Sequence, residues 1–96
     1  MVKGKTSSGF EFSIPDGLDK DFRFVKAYSA IQNGDEAQAM SGAADLVSAI
    51  FADSKQEDRL YKHIGKSYGG RVPIDVLFEE IKEIISAAKQ DENLKN

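Results

Sequence analysis

Few residues in this 96-residue chain could do chemistry, and most of those lack a partner at a useful spacing. His63 is the only histidine and there is no cysteine, so a metal site would have to be completed by carboxylates alone. Glu57 and Asp58 stand at helical offsets that do not converge on its imidazole, and a surface or half-buried helical histidine is the expectation. No serine has the context of a nucleophile elbow, and with one histidine a Ser-His-acid set is not expected either. Gly4-Lys5-Thr6 and Gly65-Lys66-Ser67 echo a phosphate-binding loop. The full pattern needs another glycine about five residues before the Gly-Lys pair; position 60 is Leu, and position 4 lies too near the start of the sequence. Asp75, Glu79 and Glu83 recur every fourth residue, which is the pattern of the wet face of an amphipathic helix.

Two groups of side chains are better placed for binding than for reaction. Arg59, Lys62, His63 and Lys66 follow helical spacing and share one side of a helix, with Arg71 near its end. Such a stripe is either a solvated face, a contact for an acidic protein surface, or a contact for phosphate backbone. No aromatic residue interleaves it, which argues against stacking on single strands. Phe78 and Ile85 widen the apolar stripe of the last helix, so part of that stripe is a candidate for contact with a partner.

The elements that position these residues are readable from periodicity. Phe10, Phe12 and Ile14 alternate with Glu11 and Ser13, and Ser7-Ser8-Gly9 supplies a turn, predicting a β-hairpin over 2–14. Pro15-Asp16-Gly17 stops it. Leu18, Phe22, Val25, Tyr28 and Ile31 then recur at spacings of three and four, predicting a helix over about 19–33 capped by Asp19 and ended by a left-handed Gly34. Asp35 with Gln38 has capping-box spacing and opens a second helix to about 52, burying Met40, Ala43, Val47, Ile50 and Phe51; Gly42 within it marks a bend or a close helix contact. A third helix over about 55–67 starts at Asp53 or Ser54, the latter with Glu57 as box partner, and buries Leu60, Tyr61 and Ile64. A fourth, over about 73–90, opens with Pro73 in its first turn and buries Ile74, Leu77, Ile81, Ile84 and Ala88, leaving Asp75, Glu79, Glu80, Lys82 and Glu83 outside. Residues 91–96 read as a flexible polar tail. The expected class is α+β, mainly α, with one domain over 1–90.

Composition agrees with a folded core: 41% hydrophobic and 30% charged residues is a globular balance. The net charge of −3 gives no wholesale attraction to nucleic acid, so any such role would rest on a local basic face. No apolar run approaches the roughly 18 residues needed to span a bilayer, and lack of cysteine suits a reducing cytoplasm. No cofactor and no catalysis are expected.

In the order of its features the chain resembles, over most of its length, the small tail assembly chaperones of long-tailed bacteriophages and prophages of Gram-positive bacteria. The resemblance is carried by Ser8-Gly9-Phe10-Glu11-Phe12-Ser13-Ile14, Asp19-Lys20-Asp21-Phe22, Asn33-Gly34-Asp35, the apolar run Leu46 to Phe51 and the segment Leu60 to Ile64. The most characteristic piece is Gly70-Arg71-Val72-Pro73 leading into Asp75, Phe78, Glu79, Glu80 and Ile81. Gly42 and the doubled Gly69-Gly70 depart from the pattern. The resemblance implies a non-catalytic protein of the bacterial host cytoplasm that binds the tape measure protein, a long helical chain, and keeps it soluble while tail-tube subunits assemble around it. It also implies self-association, and a longer form made by frameshifting; Leu94-Lys95-Asn96 can be encoded by UUA-AAA-AAC, which contains a slippery heptamer. The competing expectation is a small nucleic-acid-binding regulator using the basic helical face.

Overall fold

The computed structural model describes residues 1–51 and 53–95, with side chains described through residue 90. Two antiparallel strands, β1 (Val2–Lys5) and β2 (Glu11–Ile14), precede a 3-10 turn (Leu18–Lys20) and four helices: α1 (Phe22–Asn33), α2 (Glu36–Phe51), α3 (Ser54–Gly65) and α4 (Ile74–Lys95). This is the α+β, mainly helical class that the periodicity predicts. In the hairpin Val2 pairs with Ile14 and Gly4 with Phe12. Its loop, Ser7-Ser8-Gly9, closes with Gly9 N–H donating to the Thr6 carbonyl and Thr6 N–H to that of Phe10. Gly9 sits at φ +95°, the left-handed position a three-residue hairpin loop requires. Val2, Phe10, Phe12 and Ile14 turn inward and join Leu46, Val47, Ile50, Phe51, Leu60, Ile64, Ile81, Ile84 and Ala88 in one core.

The first helix begins later than its spacing predicts, and faces differently. Gly17 adopts φ +83° and Leu18–Lys20 forms a separate 3-10 turn, so Asp21, rather than Asp19, is the cap and accepts from Arg23 N–H at 2.8 Å. Phe22 is 75% exposed and Val25 44%; the buried stripe is instead Phe24 and Ala27, with Tyr28 and Ile31 packed at its margin. Both stripes satisfy helical spacing. The one containing alanine wins because it lets α2 come close: a Cβ on Gly42 would stand 3.0 Å from the Ala27 carbonyl oxygen and 3.0 Å from the Ala30 Cβ. Gly42 therefore marks a close helix contact.

Other local expectations are altered in instructive ways. The Asp35–Gln38 capping box forms, each side chain accepting from the other residue's N–H. Gly34, however, is extended at φ −87°. It is needed for room, since a Cβ there would fall 2.6 Å from the Ala30 oxygen and 2.6 Å from the Gln38 Cβ. Met40 is 45% exposed, because the core does not reach the start of α2. Asp53, not Ser54, caps α3 through Lys55 N–H, and Glu57 reaches instead to Ser48 and Tyr61. After Gly65 the chain turns on Gly69 and Gly70, at φ +64° and +89°, with Gly70 N–H bonded to the Gly65 carbonyl at 2.8 Å. Pro73 stands just before α4 and accepts from Leu77 N–H; Ile74 is 51% exposed, not buried. The expected tail at 91–96 is carried as helix through Lys95, and its side chains lie outside the described residues.

Candidate protein-binding face

The basic stripe is built where α3 docks along the outer edge of β2. Gln56 makes the attachment: its amide Nε2 donates to the Ser13 carbonyl at 2.6 Å and its Oε1 accepts from Ser13 N–H at 3.0 Å. One turn on, Arg59 Nη2 donates to the Glu11 carbonyl at 3.4 Å, with its guanidinium 5.7 Å from the centre of the Phe10 ring. That ring also meets His63 at 5.6 Å and Phe51 at 6.3 Å, the latter edge-on. Phe10 is thus the ring against which Arg59 and His63 are set.

Two adjoining shallow hollows result, sharing Glu11 and Arg59. Lys3, Lys5 and Gln56 line the first; Lys62, His63 and Lys66 line the second. Five cations therefore occupy one face, and among the described residues none of them is in an ion pair; the ion pairs are Met1–Asp16 and Glu79–Lys82. Glu11 is the one carboxylate in the lining. Arg59, Lys62 and Lys66 come together as expected. Lys3 and Lys5 were not foreseen as members, since only the pairing of strand and helix brings them there. Arg71 is exposed beyond the turn and lines neither hollow. Phe78 is half-buried and Ile85 belongs to the core, so as placed Ile85 offers no surface to a partner.

A second constellation was not expected. Glu80, assigned to the solvated face of the last helix, is only 4% exposed. Its Oε1 accepts from the Thr6 hydroxyl and from the Ser8 hydroxyl, each at 2.9 Å, and the Ser8 oxygen lies 3.0 Å from His63 Nε2. Glu83 accepts from Ser7 N–H and from the Ser7 hydroxyl. Serine, histidine and acid are thus brought together after all, but in an order that opposes nucleophilic activation. Ser8 gives its only proton to the carboxylate, so the 3.0 Å contact requires His63 Nε2 to be the donor, and an imidazole donating to serine is not its base. The cluster pins the hairpin tip to α3 and α4. Sequence separations of 55 to 76 residues in these bonds explain why no local pattern announces it.

At the other side of α3, Tyr61 donates to Glu57 at 3.1 Å. Partial burial, followed by the charge of Glu57 and that hydrogen bond, pushes the Tyr61 hydroxyl up to about 12. Among the described residues no group of three or more histidine and acidic side chains is placed to hold a metal ion, and no helix is long and apolar enough to cross a membrane. Set against known protein families, curated proteins and solved structures, the chain finds no match.

Proposed function

We propose that this chain is a protein-binding module whose basic face holds an acidic client, in the role that the resemblance to tail assembly chaperones implies, with the tape measure protein as that client. The observation that supports this most is the segregation of charge. Lys3, Lys5, Arg59, Lys62 and Lys66 share one face and, among the described residues, form no ion pair, although acids outnumber bases 16 to 13 in the chain. Like charges about 10 Å apart in water repel by only roughly 0.4 kcal/mol, so the fold tolerates the cluster, and matching carboxylates on a client would turn each repulsion into an attraction. The test is co-expression with the tape measure protein of the same phage, the client that the resemblance implies. A higher soluble yield and a complex that co-purifies at low salt are expected; an unchanged yield with no complex would contradict the proposal.

The same cations would also suit a phosphate backbone, which gives the nucleic-acid reading its one supporting observation. Phe10 and Phe12 are buried, so neither offers the face a ring on which bases could stack. A salt-dependent shift of duplex DNA at about 50 mM salt, lost on reversing Lys62 and Lys66, would favour that reading over the protein client.

A further inference from the structure

The hydrogen bonds of the hairpin leave one strand edge open. Thr6 N–H bonds the Phe10 carbonyl, which fixes the alternation along the ladder: Gly4 with Phe12 and Val2 with Ile14 are hydrogen-bonded pairs, whereas Lys5 with Glu11 and Lys3 with Ser13 are not. The backbone groups of Glu11 and Ser13 therefore point away from β1, and α3 takes up three of them through Gln56 and Arg59. By the same alternation the N–H and C=O groups of Lys3 and Lys5 point away from β2. No backbone or side-chain group among the described residues bonds to any of those four. One edge of the two-stranded sheet is hydrogen-bonded to a helix; α4 packs beside the other strand, and among the described residues nothing bonds to its outward groups.

We propose that the outer edge of β1 accepts an extended acidic segment of a partner protein as a third strand. Main-chain bonds to Lys3 and Lys5 would supply the attachment, as in other cases of strand addition. Charge selects the occupant. The side chains of Lys3 and Lys5 share the exposed face of the hairpin, so alternate residues of an added strand lie directly beside them. Antiparallel pairing with β1 of a second copy would set lysine beside lysine, which is how proteins guard an edge against self-association. Asp or Glu at alternate positions converts that guard into a selective contact, and the basic hollow holding Arg59 continues the same field. This inference concerns a strand and does not depend on the client of the basic face being helical.

An acetylated octapeptide alternating Glu and Val is a suitable probe, with its Lys-for-Glu counterpart and a helical Glu-Ala peptide as controls. In the full chain alone, the Lys3 and Lys5 amides should exchange with solvent faster than those of Gly4 and Thr6. Saturation with the Glu-Val peptide should slow Lys3 and Lys5 exchange by about tenfold or more, which is at least roughly 1.4 kcal/mol of added protection. Lys5→Pro removes one outward N–H where an edge strand tolerates proline, and should weaken peptide binding by about tenfold; Lys3→Glu with Lys5→Glu, which keeps both amides, should weaken it as well. Lys3 and Lys5 amides already protected in the free chain, or unprotected at millimolar peptide, would overturn the proposal. So would equal binding of the Lys-containing peptide, or chemical-shift changes confined to Lys62 and Lys66.

Discussion

Between α1 and α2 the contact is made by what is missing: Gly42 has no Cβ, and the backbone of α1 fills the space where one would be. Between the hairpin tip and helices α3 and α4 the contact is made by polar groups, with Thr6 and Ser8 on Glu80, Ser7 on Glu83 and Ser8 on His63. The first junction joins neighbours in sequence and is held by fit. The second joins the two ends of the chain and is held by directed hydrogen bonds around a buried carboxylate. A steric junction fails when volume is added, and a polar one fails when a partner is removed.

That contrast can be broken most severely at Gly42. Gly42→Val should lose about 2 to 3 kcal/mol in urea unfolding, because overpacking against the Ala27 carbonyl outweighs the better helix propensity. A neutral or stabilising outcome would mean that the close approach is not maintained. Glu80→Ala should cost about 2 kcal/mol by removing the buried acceptor that the Thr6 and Ser8 hydroxyls share, and adding Thr6→Val should cost less than the sum of the two changes. Strict additivity would show that the two residues do not act together. Asp35→Ala and Asp53→Ala should each cost about 1 kcal/mol, since a cap is a local device and serves both halves alike; unequal losses would tie one cap to tertiary structure. The smallest effect concerns pH. Tyr61 holds its proton more tightly folded than unfolded, so its contribution to stability is fully present below pH 10 and is lost as pH rises towards about 12. Tyr61→Phe should flatten that part of the stability profile, read by urea titrations across the window.

How much of this was legible in the sequence follows the same division. The hairpin, its Ser7-Ser8-Gly9 loop and the Asp35–Gln38 box rest on residues a few positions apart and were readable, whereas at Gly42 a bend and a close helix contact both fitted until α1 was in place. The rotation of α1 was not: Leu18, Tyr28 and Ile31 meet the core as their spacing predicts, but Phe22/Val25 and Phe24/Ala27 both fit a helical period with them and only the approach of α2 chooses between those pairs. Glu80 was placed in solvent because carboxylates usually are; its partners lie 72 and 74 residues away. Of the basic face, the α3 half was visible as a stripe. The Lys3 and Lys5 half came only with the Gln56 and Arg59 bonds that lay α3 along β2.

The central claim, that the basic face holds an acidic protein client, is tested most directly at Lys62 and Lys66, which are exposed and make no ion pair among the described residues, so their reversal leaves the core intact. The measurement is the affinity of the tape measure protein for the intact chain and for the Lys62→Glu, Lys66→Glu variant, at low and at physiological salt. The account predicts a loss of about tenfold or more on reversal, shrinking as salt rises. Equal affinity for both chains at low salt would contradict it.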